Sequence, residues 1–288
     1  MTEISDLDIH AERAIEMNSP SVADMETVAR RVRRHIISMT GRAGSGHPGG
    51  SLSAVEVVTT LYFRVLRHDP KRPDWPDRDR FILSKGHAAP LLYAVLAECG
   101  YFPSEELASL RQINSRLQGH TDRTRTAGVE MSAGSLGQGL SFSIGVALAG
   151  RLNEKPYRVY TLLGDGECDE GQVWEAAMAA AHFKLDNLAA IVDRNDQQID
   201  GWTCDVMDLE PFVGKWQAFG WHTIEVDGHD FTQLAGAFDQ ARLIKGRPTV
   251  IVAHTVKGRG VSFMENNPYF HGKAPTAEQV ELALKELA

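Results

Sequence analysis

Three short apolar runs, separated by segments with helical periodicity, constrain the fold of this chain more than any other feature. They span residues 158–163, 189–193 and 249–254, and residues 222–226 form a weaker fourth run. Helical patterns over residues 171–183 and 231–244 lie between them. Strands that alternate with helices at this spacing require right-handed crossovers and a parallel sheet that is covered on both faces. We therefore expect an α/β fold in which helices pack on both faces of a parallel sheet.

The first 120 residues are predicted to be mainly helical. Helices are expected over residues 22–38, 53–65 and 89–98, and further along the chain over residues 140–152 and from Thr276 onward. Two of them begin with the pattern of a capping box, formed by Ser53 with Glu56 and by Thr276 with Gln279. Residues 68–80 are polar and rich in proline, which predicts a surface loop. No long linker divides the chain, so we expect one domain over residues 1–288, with residues 1–20 as an N-terminal extension.

Charge and composition argue against several classes of protein. The 288 residues carry a net charge of −8, which disfavours binding to nucleic acid or to an anionic membrane surface. No window approaches 18 uncharged apolar residues, and residues 1–18 lack the pattern of a secretory signal. The cysteines at positions 99, 168 and 204 are scattered, without zinc-like spacing. These features predict a cytoplasmic protein without a membrane or nucleic-acid partner.

Two polar motifs directly follow predicted strands. Gly164-Asp165-Gly166 comes after the run at 158–163, and Asn195 follows the next run after Asp193. The carboxyl ends of parallel strands lie at one edge of the sheet, where such folds bind their ligands. Because the 28 residues between Gly166 and Asn195 suffice for one helix and one strand, we expect Asp165 and Asn195 on adjacent strand ends. Their hard oxygen atoms suit Mg²⁺ together with a diphosphate.

A glycine-rich loop at residues 41–50 matches the dinucleotide fingerprint only formally, because it follows a helix and not a strand. We interpret it as a turn that presents His47. His87, His120 and His271 also adjoin glycines, and we favour proton transfer and phosphate binding over zinc coordination for these four histidines. Other polar residues are predicted to be structural, exposed or local: His10, His35, His68, His182 and His229, with Asp230 as a helix N-cap.

The order of these motifs resembles the N-terminal half of transketolase, from about residue 20 to about residue 275. The motifs are Gly-His-Pro-Gly (46–49), Lys-Gly-His (85–87), Gly-Ser-Leu-Gly-Gln-Gly-Leu (134–140), Gly-Asp-Gly-Glu through Trp-Glu (164–175), Asp-Arg-Asn (193–195) and Phe-His-Gly (270–272). Residues 172–175 and 256–264 look closest to split transketolases, in which the enzyme consists of two polypeptides.

The resemblance implies thiamine diphosphate and Mg²⁺ as cofactors, with Ca²⁺ or Mn²⁺ as possible substitutes, and the transfer of a two-carbon ketol unit between sugar phosphates. The implied metal ligands are Asp165, Asn195 and the carbonyl of Gln197. The implied contacts to thiamine diphosphate come from His87, Gly134, Leu136, Gly166, Asn195 and His271. His47, His120 and His271 would face the substrate, and Glu170 and Glu175 would link paired active sites at a subunit interface. Thr121 and Asp196 depart from the residues usual in the family.

The family also needs a pyrimidine-binding domain, which supplies a glutamate for cofactor activation and most of the arginines that bind the substrate phosphate. This sequence ends at Ala288 without such a domain. We therefore expect a C-terminal partner subunit that carries it, an α₂β₂ assembly, and no activity of the chain alone. The alternatives are the α subunit of a 2-oxo acid dehydrogenase, a fragment of a deoxyxylulose phosphate synthase, and a non-catalytic module that binds thiamine diphosphate.

Overall fold

A computed structural model describes residues 20–288 of the chain. The predicted N-terminal extension, apart from Pro20, and the prediction for His10 lie outside the described residues. The principal helices are α1 (Val22–Ala43), α2 (Pro48–Leu52), α3 (Val55–Thr60), α4 (Ala89–Glu98), α5 (Gln138–Leu152), α6 (Gly171–His182), α7 (Thr203–Val206), α8 (Phe212–Ala218), α9 (Phe231–Leu243) and α10 (Ala277–Glu286). The strands are β1 (Arg80–Leu83), β2 (Val159–Gly164), β3 (Leu188–Arg194), β4 (Gln197–Gln198), β5 (Gly201–Trp202), β6 (His222–Asp227) and β7 (Thr249–His254).

Within residues 20–288 the main sheet has five parallel strands in the order β1-β2-β3-β7-β6, and β4 pairs with β5 as a small antiparallel ribbon. All four predicted strand runs are therefore confirmed. The sequence analysis missed β1, because its four residues directly follow the proline-rich segment and are too few to show a period. Its burial against β2 makes it a strand.

The sheet is buried on both faces, as predicted for a parallel sheet. Alternate residues of β3 point to opposite sides, so that Ala189 and Ile191 pack into one apolar cluster while Ala190 and Val192 pack into the other. The first cluster includes residues of α1, α3, α4 and α9. The second includes residues of α5, α6 and α8. The predicted α/β architecture is thus confirmed, and both helical layers leave the carboxyl ends of the strands free to form a site.

The helix predicted over residues 53–65 is wrong in its boundaries and its cap. The chain forms α2, then α3, then a π-helical turn over Leu61–Val65, and Ala54 precedes α3 without a side-chain cap. The Ser53 hydroxyl instead donates to Asp193 at 2.6 Å, and Glu56 accepts from Arg33 at 2.6 Å. These polar groups are buried, so they bind buried partners from distant elements. The second predicted capping box, at Thr276 and Gln279, is confirmed.

The prediction that His229 has only a local role is also wrong. Its Nδ1 lies 3.0 Å from a carboxylate oxygen of Glu56, and its Nε2 accepts from the backbone N–H of Val256 at 2.8 Å. The imidazole therefore joins α3 to the segment that follows β7. Asp230 caps α9 as predicted, through hydrogen bonds from two backbone N–H groups of the first turn.

His35 and His68 have the structural roles expected of them. His35 lies 3.0 Å from a carboxylate oxygen of Glu98, and His68 contacts the Tyr62 carbonyl and the Tyr101 hydroxyl. His182 is exposed at the end of α6. None of the helices between residues 20 and 288 is both long and apolar enough to cross a membrane.

Candidate active site

The carboxyl edge of the sheet brings together the two motifs that follow strands. β2 and β3 are neighbours, and Gly164 pairs with Asp193. Asp165 and Asn195 consequently lie on adjacent strand ends, as their spacing predicted. The register of two parallel strands thus places a carboxylate beside an amide oxygen.

Asp165 is buried, and its carboxylate is held between the two strand ends. One oxygen accepts from the N–H of Gly166 at 2.8 Å and the other from the N–H of Asp196 at 2.6 Å. Burial, together with the negative charge of Asp193, raises the pKa of Asp165 to about 7. A cation bound at this carboxylate would offset that burial and favour the charged form.

Asn195 and Gln197 present further oxygen atoms near Asp165. The Asn195 side chain donates to Asp193 at 3.1 Å, and its oxygen accepts from the N–H of Gln197 at 3.2 Å, which fixes the orientation of the amide. Among residues 20–288, both polar atoms of the buried Gln197 side chain have no hydrogen-bond partner. Orphaned buried polar atoms are uncommon in a folded chain, and they indicate that another group belongs at this position.

A buried ion pair between Lys85 and Asp193 lies beneath these oxygen atoms. Burial acts to raise the pKa of Asp193, but the Lys85 charge and hydrogen bonds from Lys85, Ser53 and Thr255 outweigh it and lower the pKa. In the sequence both residues of the pair stand out only as parts of motifs. Their pairing could not be predicted, because β1 had not been recognised and the two residues are far apart in sequence.

Lys257 is a second buried cation of the site. Its ammonium group donates to His271 Nδ1 at 2.9 Å and lies 3.4 Å from the Gln197 carbonyl oxygen. Burial and the nearby charge of Lys85 lower the pKa of Lys257 to about 8. We refer to Lys85, Asp165, Asp193, Asn195 and Lys257 as the strand-end cluster, because each lies at or shortly after the carboxyl end of a sheet strand.

A cavity of about 270 Å³ opens above the strand-end cluster. Its lining includes Gly50, Lys85, His87, Leu136, Asp165, Gly166, Asn195, Gln197, Lys257 and His271. Among residues 20–288, no group of three or more His, Cys, Asp or Glu side chains is arranged to hold a metal. Asp165, Asn195 and Gln197 offer one carboxylate, one amide oxygen and one backbone carbonyl, a donor set that suits Mg²⁺ when phosphate oxygens complete its shell. The buried ammonium groups suit a diphosphate in the same cavity.

Four loop histidines converge at the mouth of this cavity, and we call His47, His87, His120 and His271 the histidine cluster. The ring centroid of His47 lies 5.4 Å from that of His87, 5.8 Å from that of His120 and 5.6 Å from that of His271. Gly50 permits the close approach of His87, since a Cβ at this position would lie 3.2 Å from its Nε2. The structure therefore brings together all four histidines that the sequence analysis had favoured.

The pKa of each histidine of this cluster is lowered, which favours the neutral imidazole. Burial is the main cause in each case, and it lowers the pKa of His47 to about 4, that of His271 to about 3 and that of His87 well below its ordinary value. The pKa of His120 is also lowered, by burial and by the charge of Arg111. Neutral imidazoles can accept a proton or a hydrogen bond from a sugar hydroxyl. His47 Nδ1 is buried and has no hydrogen-bond partner within the described part of the chain.

Glu167 is a further residue of the site whose role the sequence did not reveal. Its buried carboxylate accepts from the N–H of Gly137 at 2.9 Å, from the N–H of Gly164 at 3.0 Å and from the Ser84 hydroxyl. These bonds tie the turn before α5 to the ends of β1 and β2. Burial raises the pKa of Glu167. The only sequence signal was its place in the Gly-Asp-Gly-Glu motif.

The turn before α5 carries Gly134 and Leu136 to the site. A Cβ at Gly134 would lie 3.8 Å from the His120 ring, and Leu136 lines the cavity. Glu170 is exposed at the edge of the cavity, whereas Glu175 is exposed on α6. Both glutamates are open to solvent in the part of the chain that the structure describes.

Comparison with known proteins identifies relatives along most of the chain. Residues 25–288 match the family model described as transketolase, thiamine diphosphate binding domain. The 6-deoxy-6-sulfo-D-fructose transketolase subunit SqwG of Clostridium sp. (strain MSTE9) is 46% identical over 92% of this chain and 96% of its own length. An apulose-4-phosphate transketolase subunit of Actinobacillus succinogenes is 42% identical over 93% of this chain and 97% of its own length.

Solved structures are similar as well. Transketolase from Campylobacter jejuni superposes with a TM-score of 0.88 at 32% identity, over 93% of this chain and 43% of that one. A Pichia stipitis transketolase in complex with sedoheptulose 7-phosphate gives a TM-score of 0.86 at 32% identity, over 91% of this chain and 40% of that one. The chain therefore spans less than half the length of the solved proteins that it matches.

Proposed function

This chain belongs to the transketolase family, and on that premise we propose that it is the thiamine diphosphate-binding subunit of a two-chain transketolase. It would transfer a two-carbon ketol unit from a ketose that carries an anionic end group, such as a ketose phosphate, to an aldose phosphate. The observation that carries the proposal is the juxtaposition of Asp165 and Asn195 with the buried Lys85 and Lys257 around one cavity. Membership of the family favours this function over that of a 2-oxo acid dehydrogenase α subunit.

The residues of the cavity fit both parts of the cofactor. Mg²⁺ would be held by Asp165, by the Asn195 side-chain oxygen and by the Gln197 carbonyl, with Ca²⁺ or Mn²⁺ as substitutes. His87, Lys85 and Lys257 would face the diphosphate, and Gly166 would let its oxygens approach the backbone. Gly134 and Leu136 would contact the aminopyrimidine ring through backbone atoms. The orphaned polar atoms of Gln197 are the observation that supports a bound group here.

When bound, thiamine diphosphate supplies the carbon nucleophile and electron sink that cleavage of a ketose C2–C3 bond requires. The histidine cluster forms hydrogen bonds with the substrate hydroxyls and exchanges protons with them. His47, held neutral by burial, accepts a proton or a hydrogen bond from a hydroxyl. Lys257 donates to Nδ1 of His271, so the proton of that imidazole lies on Nε2 and can be donated to a substrate oxygen. The ring centroid of His120 lies 5.8 Å from that of His47, and we assign His120 to the C1 hydroxyl.

A second polypeptide completes the proposed enzyme. Two relatives that this chain matches over 96% and 97% of their lengths are named as transketolase subunits, whereas the single-chain transketolases are more than twice as long as the matched region. The partner would carry the pyrimidine-binding domain, in an α₂β₂ assembly in which Glu170 and Glu175 lie at a subunit interface. The names of these relatives include both a sulfonated and a phosphorylated sugar, which supports a substrate with an anionic end.

We also place the protein in the cytoplasm. The three cysteines, all of them within the described residues, are free thiols: Cys168 is buried, Cys99 is half-buried and Cys204 is exposed. Unpaired and scattered cysteines are typical of a reducing compartment.

Co-expression with a partner subunit tests the proposal. The chain alone, the partner alone and the co-purified pair would be assayed with Mg²⁺, thiamine diphosphate and a panel of ketose donors. We expect ketol transfer only by the pair. Robust transfer by the chain alone would refute the need for a partner. Tight binding of thiamine diphosphate by a pair that transfers ketol units from no donor would instead support the non-catalytic module.

A further inference from the structure

The Arg111 guanidinium bridges the two loops that carry His47 and His120. Its Nη1 lies 2.9 Å from the Ser45 hydroxyl, and its Nη2 donates to the Gly119 carbonyl at 3.3 Å. Ser45 precedes His47 by two residues, and Gly119 directly precedes His120. A Cβ at Gly119 would lie 2.7 Å from Arg111 Cζ, so the glycine leaves room for the guanidinium. The cation is thus held beside the histidine cluster.

Among the described residues 20–288, the positive charge of Arg111 has no acidic partner. Within residues 20–288 no carboxylate forms an ion pair with it, although the side chain is exposed. Arg116, five residues further along the same loop, provides the contrast, because two of its nitrogens each lie 2.7 Å from a carboxylate oxygen of Glu106. The charge of Arg116 is thus neutralised by Glu106, whereas no carboxylate of residues 20–288 compensates the charge of Arg111 beside the loops of His47 and His120.

The positive charge of Arg111 acts on His47 and His120, the two histidines carried by these loops. After burial, its charge is the next cause that lowers the pKa of both His47 and His120. Lys85 and Lys257 line the cavity assigned to the diphosphate, and Arg111 is not among the residues that line it. A sugar whose reacting carbons lie near His47 and His120 therefore has a second, separate cation near it, and this cation is not used by the cofactor.

We propose that Arg111 determines substrate specificity by binding the anionic end group, a phosphate or a sulfonate, of the sugar. The inference rests on the proposed function and adds to it an anion contact made by this subunit itself. A guanidinium has five N–H donors, and those not used on Ser45 and Gly119 remain available for an oxyanion. Hydrogen bonds between such charged groups are stronger than neutral ones, and the planar donor fork suits phosphate and sulfonate oxygens.

The test uses the active pair loaded with Mg²⁺ and thiamine diphosphate. Arg111→Gln, Arg111→Lys and the control Arg116→Gln would be compared with three donors: fructose 6-phosphate, 6-deoxy-6-sulfofructose and the uncharged L-erythrulose. For Arg111→Gln we expect KM for the charged donors to rise by about 10–100-fold, the range for a lost hydrogen bond to a charged group. The kcat values and KM for erythrulose should be unchanged. Arg111→Lys should retain part of the affinity, and Arg116→Gln should match the wild type.

Each outcome decides the question. A rise in KM for only one of the charged donors supports the proposal and identifies the anion. An equal rise for erythrulose would show that Arg111 only clamps the two histidine loops, and unchanged values for all donors would show no role; both results overturn the inference while leaving the proposed function intact. A wild-type pair that is inactive with every donor would overturn the proposed function and this inference together.

Discussion

The strand-end cluster and the histidine cluster are adjacent, yet they are built in different ways. Members of the first lie at or just after the ends of strands in one sheet, so the register of parallel strands places them. The second comes from four loops between residues 47 and 271, which only the packing of helices on the sheet brings together. The first cluster contains ionisable side chains and one buried ion pair, between Lys85 and Asp193, whereas the second consists of imidazoles whose pKa values are lowered by burial.

This difference in construction corresponds to a difference in the proposed roles. In the proposed function, the side chains held by the strand ends would form a rigid site for a metal and a diphosphate, which would bind in the same way in every turnover. Imidazoles on loops present exchangeable hydrogen-bonding atoms to a substrate that changes between donor and acceptor. Burial raises the pKa of Asp165, in the strand-end cluster, to about 7 and lowers that of His47, in the histidine cluster, to about 4. The following predictions separate the clusters experimentally.

The largest effect is expected from Asp165→Asn. A neutral amide is a poor ligand for a hard cation, so binding of thiamine diphosphate in the presence of Mg²⁺ should be abolished. Calorimetric titration of the cofactor measures this, with Asp205→Asn on the exposed helix α7 as the matched control. Unchanged cofactor affinity in Asp165→Asn would refute the assignment of the metal ligand.

His47→Ala should give the next largest effect, and on a different quantity. Loss of a group that accepts the proton of a substrate hydroxyl should lower kcat by about 10²–10⁴-fold, while the affinity for thiamine diphosphate stays unchanged. His222→Ala is the control, because His222 lies at the start of β6 and therefore at the amino ends of the strands, opposite the carboxyl ends that carry the site. If the His47 variant turned over like the wild type, His47 would be a structural residue; if it lost the cofactor, the two clusters would not be separable.

Glu167→Gln should destabilise the connection between the turn before α5 and the ends of β1 and β2. The amide has one acceptor oxygen in place of two, so one of the buried N–H groups of Gly137 and Gly164 loses its partner. An unsatisfied buried N–H costs about 1–3 kcal/mol, which urea denaturation can measure. The exposed Glu105 supplies the control, since Glu105→Gln should change the free energy of unfolding by less than about 0.5 kcal/mol. Equal stability of both variants would contradict the role of Glu167.

The smallest effect concerns the pH dependence of stability in the chain without metal or cofactor. Between pH 6.5 and about 4 the unfolded chain binds a proton at His47 that the folded chain does not, so this group makes stability rise with pH. Asp165 acts in the opposite sense, because from pH 3.8 to about 7 the folded chain keeps a proton that the unfolded chain has lost. Each group changes the slope by at most about 1.4 kcal/mol per pH unit.

Urea denaturation at pH 5 and pH 7 distinguishes the two contributions. Relative to the wild type, His47→Ala should show a smaller gain in the free energy of unfolding on going from pH 5 to pH 7, and Asp165→Asn a larger one. Identical gains in all three proteins would contradict the burial of His47 as a neutral imidazole and of Asp165 as a carboxyl group with a raised pKa.

The sequence predicted part of the site well and part of it not at all. Asp165 and Asn195 were predicted as neighbours, because a single strand–helix–strand unit links them and parallel strands end at the same edge. The pairing of Lys85 with Asp193 was missed, since it joins strands that are far apart in sequence. The capping box predicted from Ser53 and Glu56 was wrong. Ser53 instead binds the Asp193 carboxylate and Glu56 binds the Arg33 guanidinium, and a local sequence pattern cannot reveal partners from distant elements.

By itself the sequence determined the alternation of strands and helices, the polar groups at the strand ends and the glycine loops that carry the histidines. These are local properties, since hydrophobic periodicity and turn chemistry act over a few residues. Only the tertiary structure decided that four loop histidines lie together beside the cavity, that Lys257 donates to His271, and that Arg111 lies next to them without an ion-pair partner among residues 20–288. Such placements depend on contacts between distant segments, which arise only when both faces of the sheet are packed.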